Sequence, residues 1–149
     1  MEKIKNPGDR GKFAEKQVAA VLDRFNDEYM TFAFERLPDA RAARGRIKRQ
    51  LSDFIVESEG IFYPFEIKET EHDFRLKKDK IEQLPRLKKW RLAGARPVVL
   101  IYHSNLEQWR LPRFEVFLPT PVPPSWNLID EPLYDSAEEA MRVAFCLPR

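Results

Sequence analysis

The stretch LSDFIVESEGIFYPFEIKET, residues 51–70, decides the expected fold because it alternates as two β-strands around a single turn. Apolar runs lie on both sides of Glu59 and Gly60, which is typical of a β-hairpin. A two-residue loop at this point pairs Ser58 with Ile61. That pairing fixes which residues of the two strands face each other.

The same register brings charged side chains together near the open end of the hairpin. Asp53 falls opposite Glu66, so the two carboxylates become cross-strand neighbours. Lys68 lies two residues beyond Glu66 and therefore on the same face of the strand. Pro64 cannot donate to a ladder, and a bulge at this residue would shift the register. The hairpin thus predicts two carboxylates and one lysine in a cluster.

The rest of the chain predicts helices on both sides of this hairpin, with further strands. The spacing of apolar residues predicts a helix over 10–26 with Asp9 as its cap, and a last helix over about 136–145 opened by a capping box at Ser136 and Glu139. The remaining predicted elements are a β-stretch over 29–37, a basic connection over 40–50, a helix over 75–92 interrupted at Pro85, a buried strand over 98–102, short strands over 109–111 and 114–118, and a proline-rich connection over 119–126.

This order of elements predicts an α/β fold in which helices flank a central mixed β-sheet. At 149 residues the chain has the length of one domain. We expect residues 1–149 to form that domain, with a core over about 10–118 and the last helix as an appendage.

Composition excludes several classes of protein. A 43% apolar and 34% charged sequence is not that of a disordered chain. The single Cys146 rules out an intramolecular disulfide, and no apolar run approaches the length of a membrane span. We therefore expect a cytoplasmic protein with no membrane partner.

Basic residues are concentrated between Arg36 and Arg49, although the net charge of the chain is only +2. Within this stretch Asp39 is the one acid among six basic residues, namely Arg36, Arg41, Arg44, Arg46, Lys48 and Arg49. Such a cluster favours contacts with nucleic-acid phosphates, and a solubilising loop is the alternative.

Four stretches of the sequence together resemble the PD-(D/E)xK nuclease superfamily. Within that superfamily the likeness is closest to the RecU-type Holliday junction resolvases, and archaeal-type resolvases are more distantly similar. The resemblance covers about residues 10–118, and its most specific elements are the thirteen-residue interval between the two acids, the Glu-Ile-Lys-Glu-Thr string and a glutamine in the next helix. The stretches are RGKFAEK (10–16), SDFIVESEG (52–60), PFEIKET (64–70), and KIEQLPRLKKW (80–90) followed by GARPVVLIY (94–102).

This resemblance implies a role for each matching residue. The expected catalytic residues are Asp53, Glu66, Lys68 and Glu15. The expected ligands of Mg²⁺, for which Mn²⁺ would substitute, are Asp53, Glu66, the carbonyl oxygen of Ile67 and Gln83, in keeping with the preference of Mg²⁺ for oxygen ligands. The expected DNA-binding residues are Arg41, Arg44, Arg46, Lys48, Arg49 and Thr70.

The implied function is that of a Mg²⁺-dependent endonuclease that cleaves branched DNA, with a four-way junction as substrate. Resolving such a junction needs two symmetric nicks, which implies a homodimer. A virus that brings its own compact enzyme is one setting for this activity. The alternatives are a restriction-type or flap- or fork-cleaving nuclease with the same core, and a non-catalytic DNA-binding module. For the bare acid motif alone, a solvated strand face is the ordinary interpretation.

Overall fold

The computed structural model describes residues 6–38 and 50–148. Within those residues the chain forms three α-helices and eight β-strands, with two 3₁₀ turns, Lys78–Lys80 and Phe114–Phe117. The helices are α1 (Pro7–Glu28), α2 (Leu84–Leu92) and α3 (Ala137–Ala144). The strands are β1 (Phe32–Arg36), β2 (Phe54–Ser58), β3 (Ile61–Thr70), β4 (Arg75–Lys77), β5 (Val98–His103), β6 (Gln108–Arg110), β7 (Ser125–Asn127) and β8 (Leu133–Tyr134).

Six strands form one sheet in the order β1-β2-β3-β5-β6-β8, and β4 pairs with β7 in a small second sheet. The pairing of β3 with β5 is parallel, whereas the other neighbours in the large sheet are antiparallel. Helices flank this mixed sheet. The predicted α/β fold with a central mixed sheet is therefore confirmed, and β3 lies at its centre.

The predicted hairpin register is confirmed, because Ser58 pairs with Ile61 across the β2–β3 turn. Glu59 and Gly60 form that turn with φ angles of 53° and 77°. Positive φ at both positions is the requirement of the tight hairpin turn whose twist matches that of its strands. Pro64 pairs with Ile55 without shifting the ladder.

Helix α1 buries the predicted apolar side chains, but it begins earlier than expected. It starts at Pro7, and the side chain of Asn6 accepts a hydrogen bond of 2.9 Å from the N–H of Gly8. Asp9 was predicted as the cap and is instead in the first turn, where the interaction of its carboxylate with the helix dipole is stabilising. Among the described helices, none is long and apolar enough to cross a membrane.

Two hydrophobic clusters cover the two faces of the large sheet. The first lies under α1 and also contains α3, with Ala140, Met141 and Phe145 almost completely buried. The predicted cap of α3 is present, since Ser136 Oγ accepts a hydrogen bond from the N–H of Glu139. The second cluster lies under α2. The C-terminal helix thus packs into the same core as α1.

Two predicted elements are wrong. The helix expected over 75–92 is divided into β4, a 3₁₀ turn and the shorter α2. Leu76 pairs with Trp126 in the second sheet, and the helix starts only beside Pro85, which is favoured in a first turn. The strand expected over 114–118 is a 3₁₀ turn. Its apolar side chains are buried in the second cluster without any ladder.

Arg110 joins segments that are distant in the sequence. Its side chain is almost fully buried and donates hydrogen bonds to the carbonyl oxygens of Leu128 at 3.0 Å, Glu131 at 2.8 Å and Asp73 at 2.9 Å. Its Nε lies 3.1 Å from Nε2 of the buried His103, whose pKa is lowered mainly by burial. A neutral His103 accepts this bond. The loop after β3 is thereby attached to the C-terminal segment.

Candidate active site

Asp53 lies at the end of the β2–β3 ladder, beside the middle of β3. The last paired residues are Phe54 and Phe65, so Asp53 occupies the next position opposite Glu66. Its Oδ2 accepts a hydrogen bond of 2.8 Å from the backbone N–H of Ile67. The two acids therefore lie opposite each other, as predicted, at the point where a side-chain hydrogen bond from Ile67 to Asp53 follows the last backbone pair of the ladder.

Glu66 is a fully buried carboxylate with an incomplete set of partners. Its exposed fraction is 0%, and its Oε1 lies 2.8 Å from Nζ of Lys68, whose side chain is 19% exposed. This approach is an ion pair by distance, but neither oxygen of Glu66 receives a well-directed hydrogen bond within the described residues. A buried polar atom without a hydrogen bond lowers the stability of the folded protein, so its presence requires an explanation.

Burial and mutual repulsion disfavour ionisation of the two acids. Burial, followed by the charge of Asp53, raises the pKa of Glu66 to about 8, against the attraction of Lys68. Burial also raises the pKa of Asp53, while the hydrogen bond from Ile67 and the charge of Lys68 oppose that shift. At neutral pH the pair thus ionises fully only where further positive charge is supplied.

Gln83 also has an unpartnered side-chain oxygen, in addition to the two of Glu66. It directly precedes α2, and its Oε1 is buried without a hydrogen-bond partner in the described part of the chain. The following residue, Leu84, packs in the same cluster as Val99, which pairs with Glu66 in the sheet. The glutamine was expected inside a helix and lies instead at the helix start, where its side chain does not cap the helix.

Glu15 and Asp53 line one cavity of about 520 Å³, here called the Asp53 cavity. Arg36 and Ile67 line it as well. Glu15 Oε2 lies 3.2 Å from Nη2 of Arg36 in an ion pair. The structure therefore brings Glu15, the predicted catalytic residue of α1, to the same cavity as Asp53. Arg36 of β1 lies beside it.

The oxygen atoms at this site fit a hard divalent cation. Over residues 6–38 and 50–148, no three histidine, cysteine or acidic side chains come together as a metal site. The donors are two carboxylates, with the amide oxygen of Gln83 and the carbonyl oxygen of Ile67 as further candidates. Mg²⁺ commonly uses one or two carboxylates and retains several waters. The unpartnered oxygens of Glu66 and Gln83 are of the chemical type that such an ion satisfies.

The predicted DNA-binding residues are mostly beyond the described part of the chain. Thr70 is the exception, and its hydroxyl is already bonded within the following loop. It accepts a hydrogen bond from the N–H of His72 at 3.1 Å and lies 3.5 Å from the carbonyl oxygen of Arg75. A phosphate contact by Thr70 stays a prediction. The residues outside the described ranges are Arg41, Arg44, Arg46, Lys48 and Arg49.

Sequence analysis missed an ion pair on the opposite face of β3. Nε of Arg10 lies 2.8 Å from Oε1 of Glu69, and Ser104 Oγ donates to the same oxygen at 2.7 Å. A signal existed, because Arg10 lies one helical turn before Ala14 on the buried face of α1. A charged residue on an apolar stripe predicts a buried partner.

Comparisons with known proteins identify the fold. No protein-family model and no curated protein matches the chain. A solved structure does match, that of Hjc, a Holliday junction resolvase from the hyperthermophilic archaeon Archaeoglobus fulgidus. The match has a TM-score of 0.54 and 16% sequence identity, and it covers 90% of this chain and 99% of the other. The chain therefore has the α/β fold of this resolvase structure.

Proposed function

We propose that this protein is a Mg²⁺-dependent endonuclease, with Asp53, Glu66 and Lys68 at its active site. The observation that carries the proposal is the fully buried Glu66, which has an unpartnered oxygen and lies beside Lys68 and opposite Asp53. A carboxylate needed only for folding is expected to have complete hydrogen bonding. The incomplete hydrogen bonding of Glu66 at the centre of the sheet supports a site that binds a metal ion and a substrate.

The chemistry of phosphodiester hydrolysis matches these groups. Asp53 and Glu66, with Gln83 and the carbonyl oxygen of Ile67, would hold Mg²⁺. The bound ion would offset charge on the phosphate and favour ionisation of an attacking water. Lys68 remains partly exposed, so its ammonium group is able to orient that water and to offset phosphate charge.

Glu15 has a supporting role in this proposal. It lines the Asp53 cavity and is held by Arg36. From this position its carboxylate would polarise water that enters the cavity, while the arginine would attract the DNA backbone. Loss of Glu15 is thus expected to slow cleavage less than loss of either buried acid.

Branched DNA is the proposed substrate, and a four-way junction is the leading candidate. Two observations support it: the four sequence stretches that resemble RecU-type resolvases, and the fold shared with an archaeal protein described as a Holliday junction resolvase. One chain carries one such site, whereas resolution requires two opposed nicks. A two-fold homodimer on the junction follows from that requirement.

The test compares an end-labelled four-way junction with a linear duplex of matched sequence, in Mg²⁺ or in EDTA. Asp53→Asn is the inactive variant, and Glu57→Gln is its matched control because Glu57 is an exposed carboxylate on β2, the strand that follows Asp53. We expect paired, Mg²⁺-dependent nicks in the junction alone. Asp53→Asn should reduce their rate at least about a thousandfold, and Glu57→Gln should not.

Other outcomes separate the alternatives. Cleavage of both DNAs by wild type and Glu57→Gln would retain the nuclease and refute junction specificity. Binding of DNA without Mg²⁺-dependent cleavage of either substrate would refute the enzyme and favour a DNA-binding module. Cleavage that survives Asp53→Asn would point to a contaminating nuclease.

A further inference from the structure

A cavity in the described structure lies beyond the C-terminal end of β3, next to the proposed active site. Its volume is about 950 Å³, and we call it the Thr70 cavity. Three exposed cations line it, Arg75 and Lys77 from β4 and Lys80 from the 3₁₀ turn that follows. None of these three residues has a role in the proposed catalysis.

The acids of this cavity are largely engaged elsewhere. Glu69 and Glu71 both form ion pairs with Arg10, which leaves one net negative charge among these three residues. Asp73 is the other acid lining the cavity, against the three cations of β4 and the 3₁₀ turn. The part of the wall formed by these cations is therefore positive, which suits an anionic ligand.

The loop that carries these cations is held in one conformation. His72 Nδ1 accepts hydrogen bonds from the N–H groups of Phe74 at 3.3 Å and Arg75 at 3.2 Å. Strand β4 then pairs with β7, and Arg75 Nη1 lies 3.5 Å from Ser125 Oγ. Cations on a backbone that is hydrogen-bonded in this way lose less conformational freedom on binding a ligand than cations on an unpaired loop.

The two cavities lie along the same two elements. Gly11 of α1 and Ile67 of β3 line the Asp53 cavity, and Arg10 and Thr70 line the Thr70 cavity. The rise of β3 from Ile67 to Thr70 is about 10 Å. One DNA strand advances about 3.4 Å per nucleotide along the helix axis. For a DNA strand that follows β3, the Thr70 cavity is thus within a few nucleotides of the Asp53 cavity.

We propose that the Thr70 cavity binds backbone phosphates of the DNA strand on one side of the cleaved bond, through Arg75, Lys77 and Lys80. This inference rests on the proposed function and names a DNA contact outside the Arg-rich stretch before β2. The contacts are to phosphates rather than bases, so they hold any sequence in register with the active site.

The experiment measures DNA binding without cleavage. Fluorescence anisotropy with a labelled duplex in EDTA, over a series of salt concentrations, compares wild type with Lys77→Ala/Lys80→Ala. The control is Lys89→Ala/Arg96→Ala, which also removes two exposed cations. Those control positions lie toward the other end of β3, near Phe62. The ring of Trp90, which follows Lys89, contacts the ring of Phe62, and the N–H of Arg96 donates a hydrogen bond to the carbonyl oxygen of Phe62.

We expect the Lys77/Lys80 variant to lower the slope of log affinity against log salt by about two, one per lost phosphate contact. The control should keep the wild-type slope. An unchanged slope in the Lys77/Lys80 variant, or an equal decrease in the control, would refute the site. Lys80→Ala alone, with an expected decrease of about one, provides the test if the double variant does not fold.

This readout is independent of the nuclease proposal. A reduced slope in a protein that cuts no DNA would support the phosphate site and refute the enzyme. Conversely, cleavage with an unaltered slope would support the enzyme and refute the phosphate site. Phosphate ethylation interference on the bound duplex then locates the contacts, which should fall on one side of the cleaved bond and within a few nucleotides of it.

Discussion

Glu66 and Glu69 are two buried carboxylates three residues apart on β3, and they face opposite sides of the sheet. Glu69 receives hydrogen bonds from Arg10 at 2.8 Å and Ser104 at 2.7 Å. Glu66 has one misaligned ion pair with Lys68 and a pKa raised to about 8. Burial alone therefore does not separate these two acids, whereas the completeness of their hydrogen bonding does, and this difference supports the proposed catalytic role of Glu66.

The largest expected effect comes from neutralising Glu66, the proposed catalytic acid. Glu66→Gln keeps the size of the side chain but removes the negative charge of a proposed metal ligand, so DNA cleavage should fall at least about a thousandfold. Single-turnover cleavage of the junction at saturating protein measures this loss. Glu69→Gln is the comparison, and its folded fraction should retain the cleavage rate. A slow Glu69→Gln enzyme would show that the two faces of β3 are not separate in role.

Glu69→Gln should instead reduce stability. It leaves the buried Arg10 guanidinium without its main partner, and the exposed Glu71 compensates only in part. We expect the free energy of unfolding to fall by about 3 kcal/mol. Urea unfolding at pH 7 tests this, with Glu57→Gln as a surface control that should change the value by less than about 0.5 kcal/mol. An unchanged midpoint would contradict the assignment of Glu69 as structural.

The smallest effect is the dependence of stability on pH in EDTA. The pKa of Glu66 is raised from 4.5 to about 8, so the folded protein retains a proton that the unfolded chain releases. The resulting stability is present below about pH 4.5 and is lost as pH rises toward 8. Wild type should become less stable by about 2 kcal/mol between pH 5 and 6.5 relative to Glu66→Gln, and the loss should continue toward pH 8.

Urea unfolding at pH 5, 6.5 and 8 measures that difference between the two proteins. Addition of Mg²⁺ at pH 8 should restore stability to wild type and leave Glu66→Gln unchanged. Parallel pH profiles for the two proteins would show that Glu66 ionises in the folded state as readily as in the unfolded state.

The hairpin and its acids were predictable because their determinants are local. A two-residue turn and the period of two along each strand are enough to place Asp53 opposite Glu66. The buried strand β5 follows likewise from its continuous apolar run. These elements place the proposed catalytic groups without any long-range information.

The surroundings of the site were not predictable in this way. Arg10 and Glu69 are 59 residues apart, and their contact depends on how α1 packs on the sheet. Leu76 is helical by spacing, but its pairing with Trp126 overrides that preference. The position of Gln83 at the start of a helix follows from the same rearrangement.

Arg110 sets an order of assembly for a chain that is synthesised from its N-terminus. Its acceptors include the carbonyl oxygens of Leu128 and Glu131, and Ser125 is part of the Thr70 cavity. The residues of strands β2, β3 and β5 are thus synthesised before the residues that anchor the loop beside them. The cationic wall next to the proposed active site is therefore complete only when the last third of the chain has folded back.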